Sequence, residues 1–179
     1  MASSQTETAT LGGGCFWCIE GIFRQLKGVV GAVSGFTGGH VPGRPTYAEV
    51  SSGRTGHMEV VQLRFRRRDL SYEELLRLFL HMHDPTIPPE KNSYLGSQYR
   101  SAIFYHNEQQ RTIAQSVLKG MAPHFERPIT TLLRPLTLFF EAEEAHQDYF
   151  GKNTDAPYCK RNIAPKLNAL KSAHTELFR

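Results

Sequence analysis

The spacing of hydrophobic residues along this chain changes between two periods, which predicts a mixture of helices and strands. From Cys15 to Leu26 apolar residues recur every three or four positions, so we expect an amphipathic helix that begins at or beside Cys15. From His57 to Arg66 apolar and polar residues alternate instead, which is typical of a half-buried strand. The chain therefore carries both kinds of element within its first 70 residues.

Local signals at element ends predict the remaining order. Three further strands are expected, over residues 6–11, 101–105 and 130–140. Pro135 interrupts the last of them, so that strand should lie at an edge or bulge of the sheet. Three further helices are expected: one opened by a Ser71/Glu74 capping box, one over 108–119 behind the cap-like Asn107, and a terminal helix from Pro165. Strands that alternate with helices indicate an α/β or α+β sandwich with a mixed sheet.

Composition narrows the class of protein. The 179 residues, 40% of them hydrophobic, suit one domain over residues 1–179, with about the first five residues disordered. We expect a soluble, cytoplasmic protein without a membrane partner, because there is no apolar run of about 18 residues and no signal-peptide pattern. The net charge of +4 is concentrated at Arg64–Asp69. No aromatic residues interleave with a basic stripe there, so no nucleic-acid partner is expected.

The three cysteines carry the leading chemical question. Two of them stand in the stretch LGGGCFWC, as Cys15 and Cys18, and the third is Cys159. The predicted helix places Cys15 at a helix N-terminus, where unpaired N–H groups lower the pKa of a thiol and favour the nucleophilic thiolate. The preceding glycines allow unusual backbone angles and close approach of a substrate.

Other interpretations of the cysteines are open at this level. Cys15 alone could be a buried inert thiol. A zinc site would need Cys15, Cys18 and Cys159 with His81 or His83, but those two histidines do not share a helix face. A dithiol-exchange protein of the thioredoxin kind is the runner-up, although Phe16 and Trp17 between the cysteines fit an apolar pocket better.

A series of longer motifs resembles one known family. The chain contains, in order, GCFWCIEGIF, GGHVPGRPTYAEV, TGHMEVV, GSQYRSAIF, AEEAHQDYF and PYC. Together they closely resemble the methionine sulfoxide reductase A family over about residues 11–166. The resemblance implies a two-layer α/β sandwich with a ferredoxin-like core and no metal or other cofactor. It also implies reduction of the S epimer of methionine sulfoxide, free or in proteins, by an enzyme that thioredoxin regenerates and that we expect to be a monomer.

The resemblance also implies roles for individual residues. Attack of the Cys15 thiolate on the sulfoxide sulfur requires a proton or strong donors at the oxygen. Glu59 would be the acid, provided that burial keeps it protonated, and Tyr47 and Tyr99 would donate hydrogen bonds to the same oxygen. Phe16 and Trp17 would hold the substrate methyl group. His146, in EEAHQDYF, is interpreted as structural.

Two features leave details open. Tyr94 stands where the family usually has an aspartate, so a carboxylate that could bind the substrate nitrogen is missing and substrate preference is in doubt. The sulfenic acid left on Cys15 can condense with Cys18 or with Cys159. We expect Cys159 to act first, because the glycine, proline and polar residues around it indicate a mobile surface segment, whereas a cysteine pair in one helical turn is a poor fit to disulfide geometry.

Overall fold

The computed structural model describes residues 5–88 and 96–179. Residues 1–4, which are most of the stretch expected to be disordered, and Tyr94 lie outside this range. The described elements are the strands β1 (Thr6–Gly12), β2 (Val29–Thr37), β3 (Met58–Arg66), β4 (Ala102–Tyr105), β5 (Leu132–Pro135) and β6 (Phe140–Glu141). The α-helices are α1 (Phe16–Phe23), α2 (Tyr47–Ser51), α3 (Tyr72–Met82), α4 (Glu108–Met121), α5 (Tyr149–Lys152) and α6 (Ala164–Ala173).

The six strands form a single mixed sheet in the order β5-β4-β1-β3-β2-β6. Neighbouring strands are antiparallel except β4 and β5, which are parallel. The four inner strands follow the connectivity β1-α1-β2-β3-α3-β4, which is the ferredoxin-like arrangement. The mixed sheet of the predicted fold class is thus confirmed.

Most of the hydrophobic core lies between one face of the sheet and the helices. Alternate residues of β3, such as Val61, Leu63 and Phe65, join the same buried cluster as residues of α1, α3 and α4. The other face carries a smaller cluster around Met58, Val60, Ala102 and Phe104. This division gives the two layers and fixes which side chains of β3 face α1.

Most of the predicted elements are present with small changes at their ends. Ser71 and Glu74 form both hydrogen bonds of the capping box that begins α3. The Asn107 side chain accepts a hydrogen bond from the backbone N–H of Gln110 and caps α4. The basic run after β3 forms ion pairs, in which Arg66 contacts Asp69 and Arg67 contacts Glu7. No helix in the described residues is long and apolar enough to cross a membrane.

Two predictions about strands need correction. The strand expected over residues 130–140 is two strands, β5 and β6, which lie at opposite edges of the sheet. The edge position of the Pro135 strand is correct, because β5 is the last strand on its side. Strand β2 was missed, since Gly31 and Gly35 interrupt its apolar pattern. A Cβ atom at Gly35 would overlap Phe139 and the Phe140 carbonyl, so close packing of the chain beside β2 requires glycine there.

Candidate active site

Four segments that carry predicted site residues meet at one end of the sheet. Strand β1 ends at Gly12 and leads into Cys15, while antiparallel β3 begins at the same end and carries Glu59 as its second residue. Tyr47 lies in the connection from β2 to β3, and Tyr99 lies shortly before β4 begins. Strand direction alone therefore gathers residues that are far apart in sequence.

The glycines before Cys15 allow this close packing. Gly14 has φ of +86°, a left-handed conformation that favours glycine, and its N–H donates to the Tyr99 carbonyl at 3.1 Å. A Cβ atom at Gly12 would lie 2.9 Å from the Glu59 carbonyl oxygen. The predicted unusual backbone angle is confirmed, while the close approach of a substrate to these glycines stays a prediction.

Cys15 is the N-cap residue of α1, as the sequence predicted. Its backbone is extended, with φ −66° and ψ 128°, and its carbonyl accepts the N–H of Cys18 at 3.0 Å. The side chain is partly exposed in a cleft of about 720 Å³. The residues of the cleft wall that matter most are Cys15, Trp17, Cys18, Tyr47, Tyr99 and Tyr158.

The expected lowering of the Cys15 pKa is wrong for the reduced protein. A hydrogen bond between the two thiols raises the pKa of Cys15, and burial and the nearby Glu59 carboxyl raise it further. The same hydrogen bond lowers the pKa of Cys18 to about 7, because Cys15 donates its proton to the Cys18 sulfur. The pair therefore shares one proton at neutral pH, and this proximity outweighs the helix N-terminus at Cys15.

Glu59 is a buried carboxyl group beside the start of α1. Its side chain is 1% exposed, and its Oε2 accepts the backbone N–H of Phe16 at 3.4 Å. Burial raises the pKa of Glu59 to about 8, although the hydrogen bond from Phe16 works in the opposite direction. The condition set for an acid at this position is met, since the carboxyl group is protonated at neutral pH.

Tyr47 and Tyr99 present two hydroxyl groups to the same cleft. Burial raises the pKa of Tyr47, and Glu59 adds to the effect. Burial also raises the pKa of Tyr99 to about 12, again with a contribution from Glu59. Both hydroxyl groups therefore keep their protons and can donate hydrogen bonds to an oxygen that gains negative charge.

Aromatic rings build the apolar part of the cleft. The Trp17 ring stacks on Tyr149 with centroids 3.7 Å apart, and its Nε1 donates to His146 Nδ1 at 3.1 Å. His146 also stacks on Tyr47 at 4.1 Å. The structural role expected for His146 is therefore to position the rings of Trp17 and Tyr47.

Phe16 lies one layer deeper than the sequence suggested. It is 0% exposed and packs against Phe36, Tyr47 and His146. In the described structure it supports the rings of the cleft and has no exposed surface of its own. A direct contact between Phe16 and a substrate methyl group stays a prediction.

A buried carboxylate holds the segment that carries His146 and Tyr149. Glu20 of α1 accepts hydrogen bonds from Ser34 Oγ at 2.8 Å and from the Asp148 N–H at 3.0 Å. Gln147 adds two hydrogen bonds to the backbone of Ser34 on β2. The short helix α5 is therefore fixed against α1, with Tyr149 stacked on Trp17.

Cys159 does not lie where the sequence predicted. It is 0% exposed, belongs to the hydrophobic core and sits in a helical turn over Cys159–Ile163. The segment around it lies at the surface as expected, since most of residues 151–162 are exposed, but Cys159 itself faces the core in a turn that continues into α6. The mobility of this segment stays a prediction. Cys18, in contrast, lies close enough to Cys15 for each thiol to shift the pKa of the other.

Tyr158 and His83 line the cleft, but the sequence indicated no role in the reaction for either and suggested His83 only as a zinc ligand. Tyr158 was quoted only as part of PYC, yet its hydroxyl lies 3.7 Å from Cys18 Sγ. His83 hydrogen-bonds Ser101 Oγ and the Phe79 carbonyl, so both of its ring nitrogens are engaged. Across the described residues, no group of three or more metal-ligating side chains is close enough to hold an ion.

The fold and the site together define a cysteine-based redox enzyme with a buried, protonated carboxyl group in its cleft. A partly exposed thiol at a helix N-terminus, a second thiol in contact with it and a protonated carboxyl group share one cleft. The chain belongs to the peptide methionine sulfoxide reductase family, whose model matches residues 7–177.

Individual relatives agree with this assignment. The chain is 49% identical to a peptide methionine sulfoxide reductase MsrA of Thermus thermophilus, over 97% of this chain and 98% of that protein. Its fold is similar to that of reduced Mxr1 from Saccharomyces cerevisiae, with a TM-score of 0.78, 29% identity and coverage of 88% and 91%. It is also similar to methionine sulfoxide reductase A of Corynebacterium diphtheriae, with a TM-score of 0.74, 33% identity and coverage of 88% and 80%.

Proposed function

We propose that this enzyme reduces the S epimer of methionine sulfoxide, free or within proteins, with Cys15 as the nucleophile and Glu59 as the acid. The observation that carries the proposal is the carboxyl group of Glu59, which is 1% exposed, has a pKa of about 8 and lies beside the first turn of α1. A neutral acid next to a thiol is what reduction of a sulfoxide requires, because the leaving oxygen must be protonated.

The reductive step starts with the proton that the two thiols share. When that proton moves from Cys15 to Cys18, the Cys15 thiolate attacks the electrophilic sulfur of the sulfoxide. Glu59 gives its proton to the sulfoxide oxygen, while Tyr47 and Tyr99 donate hydrogen bonds to it. The hydroxyl group then passes to the Cys15 sulfur, methionine leaves, and Cys15 remains as a sulfenic acid.

The aromatic wall selects the substrate by its methyl group. Trp17 is fixed by stacking on Tyr149 and by its hydrogen bond to His146, so it offers a rigid apolar surface beside Cys15. Burial of one methyl group contributes about 1 kcal/mol. That contribution separates methionine sulfoxide from more polar ligands.

Recycling follows through the remaining thiols. Cys18 resolves the sulfenic acid first, since it already contacts Cys15, whereas Cys159 is fully buried. This order reverses the one expected from sequence. Cys159 then attacks the Cys15–Cys18 disulfide, and thioredoxin reduces the disulfide that Cys159 carries to the surface. We further propose that the enzyme acts as a monomer in the cytoplasm.

An assay of N-acetyl-methionine formation from N-acetyl-methionine sulfoxide with dithiothreitol tests this function. The wild-type chain should form N-acetyl-methionine, and Cys15→Ser should not. A general dithiol oxidoreductase would reduce a protein disulfide such as that of insulin and leave the sulfoxide unchanged. That result would replace the proposed function with the runner-up.

A further inference from the structure

Tyr158 contacts the second thiol of the site, also lowers the pKa of Cys15, and has no role assigned to it in the reductive step proposed above. Its hydroxyl oxygen lies 3.7 Å from Cys18 Sγ, within hydrogen-bond distance for sulfur. Its ring meets the Trp17 ring edge-on, with centroids 5.5 Å apart and an interplanar angle of 82°. The residue is 36% exposed and lines the cleft. The hydroxyl therefore lies against the Cys18 sulfur and close enough to Cys15 to lower the pKa of that thiol as well.

Tyr158 and Cys159 are neighbours in the chain and point in different directions. Successive helical residues project about 100° apart, so the turn that aims Tyr158 at the cleft directs Cys159 into the core. The turn is secured by hydrogen bonds from Lys160 N–H to the Ala156 carbonyl and from Asn162 Nδ2 to the Tyr158 carbonyl. Because Cys159 faces the core and Tyr158 faces the cleft, a rotation of this turn that brings Cys159 towards the cleft withdraws Tyr158 from Cys18.

We propose that Tyr158 is a positioning residue that sets the order of the thiol steps, because its hydroxyl holds the Cys18 sulfur beside Cys15 and keeps Cys159 buried until Cys18 has reacted. This inference rests on the proposed function. It assigns the choice between two resolving thiols to one side chain.

The two resolving steps balance without a further reagent. Cys18 passes the proton that it received from Cys15 to the hydroxyl group of the Cys15 sulfenic acid and attacks the Cys15 sulfur. The S–S bond forms, the S–O bond breaks, and water leaves. Cys18 then bears no charge and no longer attracts the Tyr158 hydroxyl proton. The turn can rotate, and the Cys159 thiolate attacks Cys18, forming the Cys18–Cys159 disulfide and releasing the Cys15 thiolate.

Other groups also shift the pKa of Cys18, and they are the same in wild type and in a Tyr158 variant. Cys15 lowers its pKa most, while burial raises it, and Tyr158 and Lys166 lower it. Glu59 and Cys159 lie close enough for charge on Cys18 to affect them. Burial raises the pKa of the Tyr158 hydroxyl, so Tyr158 is the donor of its hydrogen bond.

The test compares Tyr158→Phe with Tyr105→Phe in the full chain. Each substitution removes one hydroxyl group, but Tyr105 lies on β4 and contacts Arg111 instead of a thiol. The first measurement is the rate of Cys18 alkylation by iodoacetamide between pH 5 and 9, read by peptide mapping. In Tyr158→Phe the profile should move to higher pH, with alkylation at pH 7 about three- to tenfold slower.

The second measurement is the identity of the first disulfide after a single turnover with methionine sulfoxide, quenched in acid. Wild type and Tyr105→Phe should form the Cys15–Cys18 disulfide first. Tyr158→Phe should form it about three- to tenfold more slowly and should also form a direct Cys15–Cys159 disulfide.

The outcomes separate this inference from the proposed function. If Tyr158→Phe matches Tyr105→Phe in both measurements, Tyr158 does not position Cys18. If no chain forms methionine, the proposed function fails, while the alkylation profile still decides whether the Tyr158 hydroxyl acts on Cys18.

Discussion

The backbone N–H of Phe16 donates to Oε2 of Glu59 at 3.4 Å, which ties the first turn of α1 to a buried carboxyl group on β3. This contact brings the acid next to the residue that follows the nucleophile. Because the two residues are 43 positions apart, the arrangement depends on the pairing of β1 with β3. The site is therefore assembled by the fold, and no single sequence motif contains all of it.

Glu59→Gln should slow the reductive step by about 10²-fold or more, because the amide keeps the shape of the side chain but supplies no acidic proton. Single-turnover formation of methionine measures the effect. Glu49→Gln, on the exposed side of α2, is the matched control and should behave like wild type. A rate near wild type in Glu59→Gln would remove this carboxyl group from the acid role.

The reductive step should lose rate as the pH rises through about 8, because Glu59 then loses the proton that it must donate. The single-turnover rate of wild type, measured from pH 6 to 10, should show this falling limb. Glu59→Gln should lack it, since the amide does not titrate. A falling limb of the same midpoint in both chains would assign it to another group.

Burial of Glu59 should also make folding stability depend on pH. Its pKa is raised from 4.5 to about 8, so between these values the unfolded chain is ionised while the folded chain keeps the proton. The contribution of Glu59 to the free energy of unfolding is fully present below about pH 4.5. It falls by up to about 1.4 kcal/mol per pH unit as the pH rises towards 8. Urea unfolding should show a smaller fall in Glu59→Gln, and equal slopes would speak against a protonated Glu59.

His146→Phe should loosen Trp17, because phenylalanine keeps a ring against Tyr47 but removes the acceptor of the indole N–H. We expect KM for N-acetyl-methionine sulfoxide to rise about three- to tenfold, with a smaller change in kcat. Trp17 is the chain's one tryptophan, so its fluorescence reports the change directly. His124→Phe, at an exposed position, is the control, and an unchanged spectrum in His146→Phe would exclude the positioning role.

The two resolving thiols should differ when they are removed separately. Cys159→Ser and Cys18→Ser should each form one equivalent of methionine in a first turnover, since Cys15 performs the reduction. Cys18→Ser should resolve its sulfenic acid slowly, because Cys159 is buried. Trapping of the sulfenic acid with dimedone measures this step. Rapid resolution in Cys18→Ser with slow resolution in Cys159→Ser would restore the order expected from sequence.

Tyr94→Asp should improve turnover through KM more than through kcat, because the restored carboxylate would bind a nitrogen remote from the sulfur. Steady-state kinetics with free and N-acetylated methionine sulfoxide test this expectation, which rests on the sequence resemblance alone. An unchanged or higher KM would mean that Tyr94 does not align with the family aspartate.

The sequence was sufficient where a residue's role depends on its local pattern. The helical spacing after the glycines predicted Cys15 at the start of α1, and the alternation in His57–Arg66 predicted the strand that carries Glu59. The failures concern relationships through space. Strand β2 was missed because packing beside Gly35 requires glycine, which weakens the strand pattern.

The chemistry of the thiols was the second feature that the sequence did not predict correctly. The position of Cys15 predicted a low pKa, but a hydrogen bond from its own thiol to Cys18 sets the direction. The composition around Cys159 correctly predicted a surface segment, but it did not show that the cysteine itself faces the core within a helical turn. Neither the shared proton nor the inward side of that turn can be inferred from residue order.

The most direct test of the account is a single turnover on a racemic mixture of N-acetyl-methionine sulfoxide with no added reductant, followed by chiral analysis. The first equivalent of N-acetyl-methionine formed per chain should come entirely from the S epimer, and Cys15→Ser should form none. Equal loss of both epimers, or the same yield from Cys15→Ser, would contradict the claim that Cys15 attacks the sulfoxide sulfur within a cleft shaped around it.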